Sequence, residues 1–151
     1  MSKSIIFVCL GNICRSPLAH GIAENYVNKN NLDLKITSAG TSSWHIGEPP
    51  CENSIKVAKQ NGIDISSQRA VQFTKNDINK YDYVIGLDDS NVKNIKKLGQ
   101  EKVLKLGDFG FSGKDVPDPY FFEGFEGFDK VYEMIEICVK TLLEDITKNK
   151  I

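Results

Sequence analysis

Residues 4–17 read SIIFVCLGNICRSP, and this stretch decides the fold. Residues 4–9 form a continuous apolar run of strand length, which is typical of a strand that is buried on both faces. A glycine and an asparagine then break the run. Ser16 and Pro17 predict the start of a helix, with Ser16 as its N-cap and Pro17 in the first helical position. A buried strand that leads straight into a helix indicates an α/β fold.

The alternation of strand and helix continues along the rest of the chain. The first helix is predicted to reach about residue 28, with Leu18, Ile22 and Tyr26 on one face. Loops are predicted at 39–50 and 107–127. The remaining predicted strands are 34–38, 83–87 and 102–106, and the remaining predicted helices begin at residues 51, 74, 88 and 128. This order predicts a parallel sheet with helices on both faces and a ligand site at the carboxyl ends of the strands.

The length and charge of the chain limit the classes of function. A chain of 151 residues predicts one domain, spanning 1–151, with a single core. The net charge is −1, with 19 basic and 20 acidic residues, so no nucleic-acid partner is expected. No apolar run approaches the ~20 residues that span a bilayer, so no membrane insertion is expected. The N-terminal stretch is too short for a signal peptide, and we expect a cytoplasmic protein.

The four cysteines are Cys9, Cys14, Cys51 and Cys138. A disulfide scaffold is usually shorter and richer in cysteine, so free thiols in a cytosolic chain are the better interpretation. A zinc site is the competing use of these residues. It is disfavoured because Cys9 and Cys14 have no second matching pair and the two histidines lie at no usual ligand spacing.

The loop after the first predicted strand carries the features of phosphate chemistry. Cys9 and Arg15 are separated by five residues, and Arg15 is one of only two arginines in a lysine-rich chain. A tight loop can turn its backbone N–H groups towards an anion, and the following helix adds its positive end. An arginine can offer two parallel donors to a phosphate, which a lysine cannot. The predicted phosphate-binding residues, which we call the phosphate loop, are Leu10, Gly11, Asn12, Ile13, Cys14 and Arg15.

The same electrostatic field favours a thiolate at Cys9, and a thiolate is a strong nucleophile. The Ser16 hydroxyl can hydrogen-bond this thiolate, or it can simply cap the helix. The plain alternative is that Cys9 is a buried thiol at the end of a strand and that Arg15 is a surface residue.

A second candidate group lies in the sequence VPDPY, residues 116–120. The prolines on both sides of Asp118 stiffen its backbone, and a rigid carboxyl group can protonate a leaving group and later activate water. Taken alone, an ordinary proline turn with an exposed aspartate is the simpler interpretation. Trp44, Tyr120 and Phe121 lie in the two long loops and are candidates for the walls of a cleft, although plain loop packing explains them equally well.

Taken together, these motifs resemble the low-molecular-weight protein tyrosine phosphatases. The resemblance rests on CLGNICRSP at 9–17 and on DPY at 118–120. Segments 38–41, 44–50 and 88–91 also fall where that family has similar sequences, so the resemblance covers nearly the whole chain.

The resemblance implies a three-layer α/β sandwich with a four-stranded parallel sheet and a phosphate loop after the first strand. It implies Cys9 as nucleophile, Arg15 as phosphate clamp and Asp118 as general acid and then base, with no metal or other cofactor. The expected partner is a phosphotyrosine-containing protein, with a tyrosine kinase among the candidates. The resemblance further implies that Asn12, Ser16 and Ser38 brace the loop and that Cys14 traps oxidised Cys9 as a reversible disulfide.

Three other functions are open to a chain with this fold. Arsenate reduction needs further cysteines to relay a disulfide, and residues 80–90, where related reductases carry one, contain none. A protein arginine phosphatase is the second alternative, and family members that prefer phosphoarginine have threonine in place of Ile13. A catalytically dead phosphotyrosine-binding module is the third, and the presence of Cys9, Arg15 and Asp118 argues against it.

Overall fold

The centre of the molecule is a parallel sheet. The structure is a computed structural model that describes residues 2–122 and 124–151, and of residue 121 only the backbone. Within these residues the sheet has four strands in the spatial order β2-β1-β3-β4. They are β1 (Lys3–Cys9), β2 (Leu34–Gly40), β3 (Tyr83–Gly86) and β4 (Leu104–Lys105). This arrangement confirms the predicted fold class.

Helices cover both faces of the sheet. The helices α1 (Arg15–Lys29), α2 (Glu52–Gln60) and α4 (Glu126–Thr147) lie on one face, and α3 (Asp89–Lys97) lies on the other. The alternation of side chains along β1 divides the two cores, since Ile5 and Phe7 join the larger core under α1 and α4 while Ile6 and Val8 join the smaller core under α3. β1 is therefore buried on both faces, as its apolar sequence predicts.

The last helix supplies much of the larger core. Its apolar side chains recur at the helical period and are buried along one stripe, and each such side chain stabilises the fold by roughly 1.5–3 kcal/mol. The fully buried members of this stripe include Val131, Ile135, Val139, Leu142 and Leu143. Packing against α4 fixes the position of α1, the helix that follows the phosphate loop.

Some predicted boundaries are wrong. α1 begins at Arg15 with Cys14 in the N-cap position, so Ser16 lies inside the helix rather than capping it. β4 is limited to two residues because a 3-10 turn at Leu106–Asp108 redirects the chain immediately after them. The helix predicted to begin at residue 74 is a single 3-10 turn, Lys75–Asp77, because the backbone leaves it in an extended conformation at Ile78.

Candidate active site

An open cavity of about 250 Å³ lies at the carboxyl end of β1, where the phosphate loop leads into α1. Every residue that lines it, apart from His45, is among the site residues predicted from the sequence. Its lining residues are Cys9, Leu10, Gly11, Ile13, Cys14, Arg15, Trp44, His45, Asp118 and Tyr120. The cavity therefore brings together loops that are separated by about 100 residues in the sequence.

The phosphate loop is tight because strand β2 ends directly behind it. A Cβ atom at Gly40 would lie 2.7 Å from the Leu10 carbonyl oxygen and 3.0 Å from the Asn12 backbone nitrogen, so only glycine fits there. The loop also contains a left-handed residue, Asn12, with φ of 58°. Asparagine tolerates this conformation better than most residues do. These two positions let the loop curl its backbone around the cavity.

Cys9 forms the floor of the cavity and is 2% exposed. Its sulfur lies 3.0 Å from the Ser16 hydroxyl oxygen and accepts a hydrogen bond from the Asn12 backbone N–H at 3.3 Å. Ser16 itself is completely buried. Its hydroxyl therefore faces the thiol, the first of the two arrangements that the sequence leaves open.

The Asn12 side chain connects the loop to its surroundings. Its amide nitrogen donates to the Ser16 hydroxyl at 2.7 Å and to the Ser38 hydroxyl at 3.1 Å. Its amide oxygen accepts from the Val71 backbone N–H at 3.0 Å, which fixes the orientation of the amide. Because Asn12 donates to the Ser16 oxygen, the Ser16 proton is left for the Cys9 sulfur at 3.0 Å or the Ala39 carbonyl oxygen at 3.4 Å, and the contact with Cys9 is the shorter. The structure thus brings Asn12, Ser16 and Ser38 together around the thiol.

His20 extends this network and was not predicted as a site residue. Its Nδ1 lies 3.0 Å from the Ser38 hydroxyl, and its Nε2 lies 3.2 Å from a carboxylate oxygen of Glu24. Burial lowers the pKa of His20, although the charge of Glu24 acts in the opposite direction. A neutral imidazole accepts from Ser38 at Nδ1 and donates to Glu24 at Nε2. The spacing of His20 and Glu24 on one helix face is the signal in the sequence that could have identified this pair.

Arg15 is anchored by two elements on the far side of the cavity. Its Nη1 donates to the Asp88 carboxylate at 2.7 Å and to the Val116 carbonyl oxygen at 2.9 Å. Burial alone would lower the pKa of Arg15, but the charges of Cys9 and Asp88 raise it above its ordinary value. The sequence places Asp88 at the end of a strand, on the same edge of the sheet as Cys9, but gives no sign of its pairing with Arg15.

Asp118 lines the cavity opposite the phosphate loop. One of its carboxylate oxygens accepts the Tyr120 backbone N–H at 3.0 Å, which holds the side chain at the start of the turn Pro119–Phe121. Trp44 and Tyr120 stand at the cavity mouth and are 72% and 60% exposed. The side chain of Phe121, the third predicted wall residue, lies outside what the structure describes.

Cys14 has a neighbour that the sequence did not predict. Its sulfur lies 2.7 Å from the sulfur of Cys51, which is 37 residues away in the chain. Cys51 stands at the N-cap of α2, and its backbone N–H donates to the Ile13 carbonyl oxygen at 2.7 Å. No spacing rule for cysteines connects these two positions, because loop 39–50 brings them together only in the folded chain.

Neither a metal site nor a membrane helix is found in the described ranges. Among residues 2–122 and 124–151, no three His, Cys, Asp or Glu side chains are grouped so that they could hold a metal ion. Over the same residues, every helix is too short or too polar to cross a bilayer.

Comparison with known proteins agrees with this geometry. Residues 4–151 match the family model described as low molecular weight phosphotyrosine protein phosphatase. The chain is 38% identical over 151 residues to the low molecular weight protein-tyrosine-phosphatase PtpA of Staphylococcus saprophyticus, covering 97% of this chain and 95% of the relative. Its fold matches the protein tyrosine phosphatase of Entamoeba histolytica, with a TM-score of 0.91, 29% identity and 99% coverage of both chains. It also matches a Drosophila arginine phosphatase, with a TM-score of 0.86, 29% identity and coverage of 94% of this chain and 96% of that one.

Proposed function

Because the chain belongs to the low molecular weight phosphotyrosine protein phosphatase family, we propose that it removes phosphate from tyrosine residues of proteins. The reaction runs through a phosphocysteine intermediate, and the substrates are phosphotyrosine-containing proteins, with a tyrosine kinase as one candidate. The observation that carries the proposal is the environment of Cys9. Its sulfur receives two hydrogen bonds at the floor of a cavity that Arg15 and Asp118 also line.

The first step is attack by the Cys9 thiolate on phosphorus. The bond from phosphorus to the tyrosine oxygen breaks as the bond from sulfur to phosphorus forms. The backbone N–H groups of the phosphate loop and the N-terminus of α1 face the negative oxygens of the phosphoryl group. The Ser16 hydroxyl, 3.0 Å from the sulfur, stabilises the thiolate before attack and again when it is the leaving group.

Arg15 clamps the phosphoryl group during both steps. In the described part of the chain, its hydrogen bonds to Asp88 and Val116 both use Nη1. This leaves the Nε and Nη2 donors for two phosphoryl oxygens, the bidentate geometry that a guanidinium provides. Asp88 positions the guanidinium and does not touch the substrate.

Asp118 acts first as a general acid and then as a general base. It donates a proton to the departing tyrosine oxygen, which is a poor leaving group as a phenolate. In the second step the same carboxylate takes a proton from water as that water attacks the phosphocysteine. Phosphate leaves and the Cys9 thiolate is regenerated. The exposed rings of Trp44 and Tyr120 at the mouth are placed to contact the flat tyrosine ring.

Replacement of the nucleophile tests the proposal. The Cys9→Ser protein should lose nearly all turnover of phosphotyrosine peptide, yet inorganic phosphate should still raise its melting temperature, because the loop amides and Arg15 remain. Cys138→Ser is the matched control, since that thiol is buried in α4 away from the cavity. If the Cys9→Ser protein hydrolysed the phosphotyrosine peptide at the wild-type rate, the proposal would be refuted.

Phosphoarginine hydrolysis is the second candidate function. The likeness to the Drosophila arginine phosphatase favours it, because the two folds superpose over nearly the whole chain. Ile13 argues for tyrosine, since its side chain lines the cavity next to the phosphate position and offers no acceptor to a guanidinium. Side-by-side turnover of phosphotyrosine and phosphoarginine peptides separates the two functions.

A further inference from the structure

Three of the four cysteines converge at the phosphate loop. Cys9 and Cys14 both line the cavity, and the sulfur of Cys51 lies 2.7 Å from that of Cys14. All three are free thiols. A disulfide holds its sulfurs about 2.05 Å apart, so the two sulfurs need to approach by only about 0.7 Å when an oxidant removes two electrons from the pair.

The backbone holds the Cys14 and Cys51 thiols against one another. The two residues are the N-caps of α1 and α2, and the Cys51 backbone N–H donates to the Ile13 carbonyl oxygen at 2.7 Å. The Ser54 hydroxyl lies 3.0 Å from the Cys51 sulfur and donates to the Cys14 carbonyl oxygen at 3.2 Å. The starts of two helices are thereby pinned together, and the thiol pair follows from that pinning.

The two thiols differ in character. Hydrogen bonds from Cys14 and from Ser54 lower the pKa of Cys51 to about 6, despite the opposing effect of burial. The hydrogen bond to Cys51 and burial raise the pKa of Cys14. Cys51 is therefore the more acidic of the two thiols and the better placed to attack an oxidised sulfur as a thiolate.

We propose that Cys14 and Cys51 form a disulfide that takes over the oxidation of Cys9 and returns Cys9 to its reduced form. This inference rests on the proposed role of Cys9 as nucleophile. It extends the expected Cys9–Cys14 disulfide by one exchange, with Cys51 as the final partner.

The steps balance with a peroxide as the oxidant. The Cys9 thiolate attacks one peroxide oxygen, the O–O bond breaks, and water leaves after protonation, so that Cys9 becomes a sulfenic acid. The Cys14 sulfur then attacks the Cys9 sulfur, and the S–O bond breaks with loss of a second water that carries the Cys14 proton. Finally the Cys51 thiolate attacks the Cys14 sulfur, and Cys9 leaves as a thiolate. Two electrons have passed from Cys14 and Cys51 to the peroxide.

The surroundings of the three sulfurs favour the last exchange. Cys51 is already in contact with Cys14, so little conformational freedom is lost in the attack. The leaving Cys9 sulfur receives hydrogen bonds from the Ser16 hydroxyl and from the Asn12 backbone N–H. Cys138 takes no part, because it is buried within α4.

Tryptic mapping of the peroxide-treated protein tests the inference. Cys9 and Cys14 share tryptic peptide 4–15, whereas Cys51 lies in peptide 36–56. Reduced wild-type protein receives a stoichiometric amount of hydrogen peroxide and is then alkylated. We expect peptides 4–15 and 36–56 to be joined, with fragmentation placing the link at Cys14 and the alkyl group on Cys9. Cys138→Ser should give the same map.

The Cys51→Ser protein provides the contrast. In this variant the disulfide should join Cys9 and Cys14 within peptide 4–15. After peroxide treatment its turnover should be at least about tenfold lower than that of treated wild type, and a dithiol should restore it. Ser54→Ala, which removes the hydroxyl next to Cys51, should slow the appearance of the joined peptides. A wild-type map with only the link inside peptide 4–15, or with Cys9 oxidised equally in wild type and Cys51→Ser, would overturn the inference. Disulfide mapping needs no turnover, so these outcomes are separate from a failure of the proposed phosphatase function.

Discussion

Asn12 connects the phosphate loop to its surroundings through its side-chain amide. It adopts φ of 58°, and its amide nitrogen and oxygen reach Ser16, Ser38 and the Val71 backbone. Both N–H donors of its side chain and its side-chain oxygen are hydrogen-bonded inside the protein, and the residue is 3% exposed. A buried amide with these hydrogen bonds is costly to disturb, so we expect the loop to keep this shape without a ligand.

At Asp118 we expect the effect of substitution to depend on the leaving group. Asp118→Asn should slow hydrolysis of a phosphotyrosine peptide by about 100-fold or more, because phenolate needs a proton to depart. It should slow an activated nitrophenyl ester much less, and parallel kcat measurements on the two substrates check this. Asp115→Asn is the control, since Asp115 lies on the same loop but pairs with Lys105 at 2.7 Å. Equal losses on both substrates would mean that Asp118 is structural.

At Ile13 we expect a preference for tyrosine over arginine. The side chain lines the cavity with apolar surface, where the guanidinium of a bound phosphoarginine would need polar partners. The wild-type protein should therefore favour phosphotyrosine by at least about tenfold in kcat/KM, equivalent to ~1.4 kcal/mol.

Ile13→Thr should narrow or invert that preference, measured with both substrates on both proteins. Ile46→Thr serves as the control because Ile46 is exposed and does not line the cavity. Equal wild-type efficiency on the two substrates would refute the tyrosine preference and leave a phosphatase of broader specificity.

The sequence predicted the residues that line the site better than it predicted their partners. Cys9, Arg15 and Asp118 have recognisable spacing and local stiffness, and all three line the cavity. Asp88 and Cys51 acquire their contacts only through tertiary structure, across 73 and 37 residues of chain. A local pattern cannot report which strand end or helix start will face the loop.

At the scale of elements, α3 and the active site share one residue. One carboxylate oxygen of Asp88 caps α3 by accepting the Asn91 backbone N–H at 2.7 Å, and the other accepts from Arg15 at 2.7 Å. The start of a helix on one face of the sheet thus sets the position of the clamp.

Substitution of Asp88 should separate these two tasks. Asp88→Asn keeps a capping oxygen but loses the charge that faces Arg15, whereas Asp88→Ala loses both. Urea unfolding should find the Ala variant less stable than the Asn variant by about 1 kcal/mol. Both variants should have raised KM for an aryl phosphate. Asp89→Asn is the control because its exposed carboxylate pairs with Lys105 instead. Equal stability of the Asn and Ala variants would show that the cap contributes little.

The boundaries of elements were harder to predict than their order. Strands and helices alternate as the apolar pattern predicts, because each strand needs cover on two faces. β4 is shorter than predicted because it pairs only with β3, at Ile85 and Gly86, and a turn follows at once. α1 starts earlier than the Ser16-Pro17 signal predicts, with Cys14 as its N-cap, and the Ser16 hydroxyl contacts Cys9 instead of capping the helix.

At the scale of the whole molecule, His20 should make stability depend on pH. Its pKa is lowered by burial in the folded protein, so the unfolded chain binds a proton more readily. The free energy of unfolding should therefore be highest above the unfolded value of about 6.5 and should fall as pH drops through it towards the folded value.

Urea unfolding between neutral and mildly acidic pH measures this effect. His20→Gln should flatten the fall relative to wild type, because glutamine does not titrate. An identical pH dependence in wild type and His20→Gln would exclude His20 as the cause.

The place of β1 in the sheet also has a consequence for the newborn chain. β1 carries Cys9, the proposed nucleophile, at its end, but it pairs with β2 and with β3, whose first residue is Tyr83. During synthesis Cys9 therefore leaves the ribosome long before the strand that completes its surroundings, at a pace of about 5–20 residues per second. Until then the thiol is not surrounded by the folded phosphate loop, the anchored Arg15 side chain and the capped helix α3. The Cys9 thiol is thus synthesised early, whereas the surroundings that we propose to activate it form only when the sheet is complete.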